Sequence, residues 1–244
     1  MQQNWFKSWF DSPYYHLLYN HRDYSEAQRF IATLFEFLNL PKHTEVLDLA
    51  CGKGRHAMQI HKLGYDVMGV DLSPQSIESA NSMAEPSLSF KTGDMRELPF
   101  FNDFDLIVNL FTSFGYFQQE GDNIKVIESI ARALKPKGQL VLDYLNVTKV
   151  EKTLPSEQKV KRGDIIFHVR KEIHHGFIVK TIQFEDGDKR YEFKEHVKLL
   201  RFKDFKKIFI DCGFEVSSTF GDYELNLFDE KTSDRLIFIV QKSN

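Results

Sequence analysis

Cysteine is scarce: the 244 residues hold only Cys51 and Cys212, with no CxxC spacing. That excludes a disulfide scaffold and makes a reducing compartment the simplest home. Long apolar runs are missing as well. No window approaches ~18 uncharged apolar residues, and mean hydropathy is −0.38, so no membrane-spanning helix is expected. Residues 1 to 20 carry Trp5, Phe6, Lys7, Trp9, Phe10 and Asp11 rather than a clean apolar stretch. No secretory leader is therefore expected, and a cytoplasmic location is. There is no excess charge of either sign: 32 basic against 35 acidic residues leave −3, with a pI near 6.3. A strongly basic nucleic-acid binder would look different. The phosphate-loop pattern GxxxxGK[ST], internal repeats and low-complexity tracts are also absent.

What remains is an ordinary globular mix, 42% hydrophobic and 27% charged. At about 150 residues per domain, the length fits one large α/β domain, or one domain with an insert. A chain of this size buries on the order of 70% of its unfolded surface, enough for a real core.

The hydrophobic period gives an order of elements. Residues 1 to 20 form an aromatic-rich segment, helical in part, with Trp5, Phe6, Trp9, Phe10, Tyr14, Tyr15 and Tyr19. Ser25 is the expected N-cap of a helix through Phe30, Ile31, Leu34, Phe35 and Leu38, stopped by Pro41. Apolar runs at 45 to 50, 65 to 73, 88 to 90, 104 to 110 and 138 to 145 then alternate with helical patterns at 56 to 64, 74 to 83 and 123 to 134. Strand alternating with helix is the pattern of a parallel sheet covered on both faces.

From about Thr148 the period changes. The β-rich runs 164 to 173, 177 to 185 and 190 to 200 are separated by His-His-Gly and Asp-Gly-Asp-Lys turn signals, which predicts an antiparallel meander inserted in the α/β chain. A helix near 203 to 212 and two closing runs, 214 to 220 and 234 to 242, return to the parent sheet as a strand pair at its edge. The expected units are an aromatic lid segment over 1–24, a core over 25–147 and 200–244, and an inserted β subdomain over 148–199. Residues 151 to 207 hold 15 Lys and Arg against 10 Asp and Glu, a local +5, read as wet faces of a sheet and a helix.

The chemistry sits at residues 45 to 55, E-V-L-D-L-A-C-G-K-G-R: a strand carrying Asp48, then Gly52 and Gly54, then a helix. Glycines at such a turn let the backbone touch a ligand, because no Cβ intervenes. Asp71, 23 residues after Asp48 at the end of the next strand, can accept both hydroxyls of a ribose. Acid, glycine turn, strand and second acid define a nucleoside site on a doubly wound sheet. A dinucleotide fingerprint wants a third glycine where this chain has Ala57, so a phosphate-free sulfonium ligand, S-adenosylmethionine (SAM), suits the turn better.

These segments resemble the class I SAM-dependent methyltransferases. VLDLACGKGRH (46 to 56) is similar to their first motif, GVDLS (69 to 73) to the acidic end of the second strand, and TGDMRELPF (92 to 100) to the adenine-side loop. FDLIVNLFTSFGYF (104 to 117) resembles the fourth-strand motif and LKPKGQLVLD (134 to 143) the opening of the fifth strand. The antiparallel insert looks like that of small-molecule members such as amino-sugar N-methyltransferases. The resemblance implies a Rossmann-like, doubly wound, mostly parallel seven-stranded sheet with an antiparallel β-meander insert, and SAM as cofactor. It places Asp48, Ala50, Cys51, Gly52 and Gly54 in the cofactor turn, the backbone of Ala50, Gly52 and Gly54 lining the methionine moiety. It also implies that Asp71 holds the ribose beside Leu72, that Asp94 and Met95 serve the adenine, and that Asn109 and Leu110 face the sulfonium.

Departures narrow the acceptor. The chain has NLFT where methyltransferases of nucleobases and glutamine amides have [ND]PP[YF], and Asp143 with Asn146 matches metal-assisted catechol methylation poorly. No metal site is expected: His56 and His61 do not share a helix face, and His174 and His175 sit at a turn. Cys51 reads as a small buried residue rather than a nucleophile. The reading is in-line methyl transfer to nitrogen or oxygen of a small molecule under an aromatic lid, with nucleic acid and membrane disfavoured as partners and the oligomeric state left open. Tyr116, in the loop beside the sulfonium, and Tyr19 and Tyr14, in the leading segment, are the catalytic candidates. The rivals are an RNA or protein methyltransferase, supported only by the +5 insert, a non-catalytic SAM-binding protein, and a nucleotide-dependent oxidoreductase sharing the sheet.

Overall fold

The computed structural model describes residues 5–19 and 24–243. Two short helices come first, α1 (Trp5–Phe10) and α2 (Pro13–Leu18), the second started by Pro13 and by Ser12, whose hydroxyl accepts from the Tyr14 amide at 3.2 Å. Helix α3 (Tyr24–Leu38) begins one residue before Ser25, whose side chain lies outside the described residues. The α/β alternation then runs β1 (Glu45–Leu49), α4 (Arg55–Lys62), β2 (Asp66–Asp71), α5 (Pro74–Asn81), β3 (Leu88–Thr92), β4 (Phe104–Asn109), α6 (Glu120–Ala133), β5 (Leu134–Leu145) and α7 (Val147–Glu151). Four antiparallel strands follow: β6 (Ser156–Arg162), β7 (Ile165–His174), β8 (Phe177–Asp186) and β9 (Lys189–Lys198). The chain closes with α8 (Phe202–Asp211), β10 (Phe214–Phe220) and β11 (Arg235–Lys242).

The parent sheet has the order β10-β11-β5-β4-β1-β2-β3. Strands β5, β4, β1, β2 and β3 are parallel, and β11 and β10 add an antiparallel edge. This is the expected doubly wound, mostly parallel seven-stranded sheet. Its central strands read as continuous apolar runs because alternate residues enter different cores. Leu47, Ile107, Leu140 and Leu142 pack with Ile127 and Ile130 of α6 and Phe205 and Phe209 of α8. Val46, Leu106, Val108 and Val141 pack on the other face with Phe30 and Leu34 of α3 and Ala57 and Ile60 of α4.

The strand order reverses between β1 and β4, so their carboxyl ends part around a crevice. The second sheet, β6-β7-β8-β9, is the expected meander with one additional strand. Its hairpin β7–β8 turns on His175 and Gly176, both at positive φ (47° and 78°), as a two-residue turn between twisted strands requires. Phe167, Val169, Ile182 and Phe184 of this sheet share one core with Trp5, Phe6, Trp9 and Leu18 of α1 and α2 and with the parent sheet. The aromatic helices are thus packed between the insert and the crevice.

Candidate functional site

The turn after β1 is tied across the parent sheet. Ala50 and Cys51 amides both donate to the Val70 carbonyl of β2, at 2.7 and 3.1 Å. Ala50, Gly52 and Gly54 have φ of +63°, +55° and +78°. The two glycines differ in what surrounds them. A Cβ on Gly54 would lie 2.7 Å from a ring carbon of Phe90, so this glycine lets α4 pack on β3, whereas a Cβ on Gly52 would meet nothing within 4 Å. Gly52 therefore faces open space where a ligand can approach the backbone.

Asp71 ends β2 beside this turn. Its Oδ2 accepts from the Gly52 amide at 2.8 Å, and its Oδ1 from the Ser73 amide at 2.9 Å. Burial pushes its carboxyl above the ordinary range, these backbone donors oppose that, and the nearby Asp11 adds to it. Asp48 is fully buried behind the turn, accepting from the Ala57 amide at the start of α4 at 3.0 Å. Burial pushes it up to about 7. Cys51 is buried, and burial holds its thiol well above the thiolate range, which fits packing rather than nucleophilic chemistry.

A crevice opens beside this turn. One wall is Leu49, Ala50, Gly52, Val70, Asp71 and Leu72, continued by Gly93, Asp94 and Met95. The other is aromatic: Phe6 and Phe10 of α1, Tyr15 of α2, and Tyr116 and Phe117 from the loop after β4. Of the residues singled out in the sequence, Ala50, Gly52, Asp71, Leu72, Asp94, Met95 and Tyr116 line this space. Asp48, Cys51, Gly54, Asn109 and Leu110 stand behind it.

Asn109 is fully buried at the end of β4 and donates to the Leu49 carbonyl at 3.0 Å, tying β4 to β1 across the crevice. Its Oδ1 has no partner. Asp94 is gripped by Arg96, whose Nη2 lies 2.7 Å from Oδ2 and whose Nε donates to Oδ1 at 3.0 Å. Arg96 also reaches Asp122 at 3.3 Å.

The loop after β4 is held from below. Phe111 and Thr112 both have positive φ, 58° and 62°. Asp143 of β5 fixes them: it is fully buried, accepts from the Phe111 amide at 2.7 Å and pairs with Arg235 of β11 at 2.7 Å. Burial raises its carboxyl, and Arg235 and the Phe111 amide oppose that shift. Arg235 further donates to the Thr112 hydroxyl at 2.9 Å. The Tyr116 hydroxyl donates to the Thr112 carbonyl at 2.6 Å, and its ring packs edge-on against Trp5.

Tyr14 and Tyr19 face the inserted sheet. Tyr14 donates to Asp186 at 2.8 Å and packs on Phe184 and Tyr191. Glu195 of β9 accepts from Tyr19 and from the Trp9 indole, each at 2.7 Å, while Lys180 of β8 contacts the Tyr19 hydroxyl. Tyr15 is the tyrosine of α2 that faces the cleft. The leading helices have a second anchor that the sequence pattern did not show. Asp11 Oδ1 accepts from the Ser73 hydroxyl at 2.7 Å and from the Gln75 amide at 3.2 Å, at the start of α5. Both Asp11 and Glu195 are invisible to local pattern because their partners are 62 and 186 residues away.

The donor set fits an adenosyl sulfonium: a buried carboxylate beside an open glycine turn, apolar flanks at Leu72 and Met95, and an aromatic wall whose ring faces attract a cation. Comparisons with known proteins agree. Residues 46–138 match the methyltransferase domain family. The chain is 27% identical over 243 residues to the putative methyltransferase YqeM of Bacillus subtilis, covering 94% of each. It is 30% identical over 122 residues, half of each chain, to dTDP-3-amino-3,4,6-trideoxy-alpha-D-glucopyranose N,N-dimethyltransferase of Streptomyces venezuelae. In three dimensions it superposes on a S-adenosylmethionine-dependent methyltransferase from Clostridium acetobutylicum with a TM-score of 0.79 over 95% of this chain and 96% of that one, at 20% identity. The chain therefore carries a methyltransferase domain on the fold of the SAM-dependent methyltransferases, whose cofactor this donor set fits.

Proposed function

We propose that this enzyme methylates a nitrogen or oxygen of a small molecule by in-line displacement. When bound, SAM supplies a methyl carbon carried on a sulfonium. In this reading Asp71 accepts from the ribose hydroxyls, Leu72 and Met95 flank the adenine, Asp94 accepts from its amino group, and the Gly52 backbone lies along the methionine moiety. The chain's remaining task is to hold an acceptor atom ~3 to 3.5 Å from the methyl carbon and to keep water out.

One observation carries the reading: residues of the aromatic helices α1 and α2 line the same crevice as Asp71 and the glycine turn. A site closed in this way suits an acceptor small enough to be enclosed. The amino-sugar substrate in the name of the Streptomyces relative is of that class. Part of the insert's positive charge is also paired with its own carboxylates, which interrupts the basic surface that RNA would need. Arg170 lies 3.1 Å from Glu172, Arg190 2.7 Å from Glu185 and Lys194 3.2 Å from Glu192. Phosphate contacts would need a continuous basic surface.

The test is a labelled-methyl assay against small amines, hydroxyls and carboxylates, with extracted RNA as a control. Label on a small acceptor, insensitive to salt, is expected. Label on RNA alone, falling steeply with salt, would replace this reading.

A further inference from the structure

Helix α1 parts two cavities. Phe6 and Phe10, four residues apart on one side of it, line the crevice. Trp5, Ser8 and Trp9 line a second cavity of about 510 Å³, within the ~300 to 1,000 Å³ of small-molecule sites. Among the described residues the two cavities have no lining residue in common. The other wall of the second is the insert: Glu172 of β7, Thr181 of β8, and Glu192, Lys194 and His196 of β9. Strand residues alternate between faces, and these belong to the face turned away from the core of Val169 and Ile182.

Two buried polar groups at this cavity are unmet. Trp5 and His196 are each 5% exposed, their ring centres lie 5.8 Å apart, and neither Trp5 Nε1 nor His196 Nδ1 has a hydrogen-bond partner. Such groups are costly to leave unsatisfied, and here one comes from α1 and the other from β9. The indole N–H can only donate. Burial first, and then the charge of Lys194, holds His196 below the ordinary histidine range, so its ring is neutral near pH 7, with one nitrogen donating and one accepting. A hydroxyl accepts from the indole and serves the imidazole nitrogen whichever way that nitrogen is protonated; an ammonium offers the indole nothing. The charges of the wall come in pairs: Arg170 lies 3.1 Å from Glu172 and Lys194 3.2 Å from Glu192, with His174 exposed at the rim. An ionic ligand would have to break one of these pairs, whereas a hydroxyl meets the carboxylates as they stand.

We propose that this cavity is a second small-molecule site, distinct from the crevice, for an uncharged polyhydroxylated molecule. Trp5 Nε1 and His196 Nδ1 meet its hydroxyls at the buried end, and Glu172 and Glu192 accept from others toward the rim. The site does not depend on what the crevice binds. It lies one ring away from it, since Trp5 also packs edge-on against Tyr116 with ring centres 5.5 Å apart.

Trp5 and Trp9 are the two tryptophans of the chain and both line the cavity, so their emission reports on it directly. The probes are neutral hexoses, each titrated beside the hexuronate and the hexosamine of the same ring, which add a carboxylate and an ammonium. At least one neutral hexose is expected to change the emission saturably and, by calorimetry, to bind at least tenfold tighter than both charged counterparts. Binding is expected to persist with saturating S-adenosylhomocysteine present; its loss would put the probe in the crevice and overturn the proposal. Trp5→Phe keeps a ring without the N–H, and His196→Phe keeps a ring without nitrogens. Each is expected to weaken the hexose at least tenfold while retaining a cooperative urea transition, and unchanged affinity in either folded variant would overturn the site. If neither variant folds, the comparison of neutral with charged probes on the wild type decides alone. Absence of binding by every hexose would leave water as the partner of the two nitrogens, and a charged counterpart binding as tightly would refute the chemistry; either result overturns the proposal.

Discussion

The Gly52 amide donates to Asp71 Oδ2 at 2.8 Å, so the glycine turn after β1 and the acid that ends β2 form one unit. Asp71 also holds the Ser73 amide at the start of α5. Replacing it therefore removes two fixed points of the crevice wall together with the proposed ribose acceptor.

Asp71→Ala is expected to weaken SAM binding by about 1 to 3 kcal/mol, the range for lost charge-assisted hydrogen bonds. Asp71→Asn keeps an acceptor for one of the two amides and should lose less. Calorimetry on folded variants checks both, and unchanged affinity in Asp71→Ala would remove this carboxylate from the cofactor site.

The two glycines should fail differently. In Gly54→Ala the new methyl would lie 2.7 and 2.8 Å from two Phe90 ring carbons, at a φ of +78°. Clash and left-handed strain together are expected to cost about 2 to 4 kcal/mol of stability in urea. Gly52→Ala meets no atom within 4 Å, so its stability loss should stay near the strain alone, about 1 to 2 kcal/mol, while SAM affinity falls. Adding Phe90→Leu should recover part of the first variant's stability and none of the second's affinity.

Asp48 gives stability a pH dependence of defined sign. A carboxyl with a reference value of 3.8 is pushed to about 7 by burial. Between those values the native state keeps a proton that the unfolded chain releases, so this group makes stability fall as pH rises through the window and level off above it. Each pKa unit corresponds to about 1.4 kcal/mol. Asp48→Asn keeps an oxygen for the Ala57 amide and cannot titrate, so its urea midpoint should decline less from pH 4 to 7 than that of the wild type. Parallel curves would assign the titration elsewhere.

The lid latch at Asp11 is expected to govern cofactor release. Asp11 joins α1 and α2 to α5 through Ser73 and Gln75, next to Asp71. Losing charge-assisted bonds of about 1.5 kcal/mol should raise the SAM dissociation rate roughly tenfold in Asp11→Ala. Stopped-flow fluorescence, with Trp5 and Trp9 as reporters, would measure it. An unchanged rate with a normal urea midpoint would mean that the lid opens elsewhere.

What was legible in the sequence follows from what is local. The strands of the parent sheet could be read because β1, β4 and β11 are buried on both faces, leaving unbroken apolar runs such as Leu236–Val240. Asp71 and Gly52 could be read because acid, turn and strand lie close along the chain. Strand β6 was missed because SEQKVKR has a single apolar residue, Val160, on an edge strand paired only with β7. Leu134 was taken as the last residue of a helix and the strand as starting at 138, whereas β5 starts at Leu134, with an irregularity in its pairing to β4. Within the site, the sequence pointed to Tyr14 and Tyr19, while the fold turns Tyr15 into the cleft and gives its two neighbours to Asp186 and Glu195. Helix phase relative to a distant strand cannot be read from a six-residue helix.

Tyr116 is the catalytic candidate that the fold does bring into the cleft. Its hydroxyl donates to the Thr112 carbonyl at 2.6 Å, in a loop where Phe111 and Thr112 both hold positive φ. A phenol whose proton is engaged by a carbonyl is a poor base, so the role expected of it is to orient the acceptor. Tyr116→Phe keeps the ring against Trp5 and Phe10 and frees the carbonyl. Turnover is expected to fall about tenfold with SAM affinity unchanged, the pattern of an interaction that matters only as the acceptor reacts. A fall in SAM affinity would make the hydroxyl part of the cofactor wall. Wild-type kinetics would reduce this residue to packing and shift attention to Tyr15, whose ring shares the same wall.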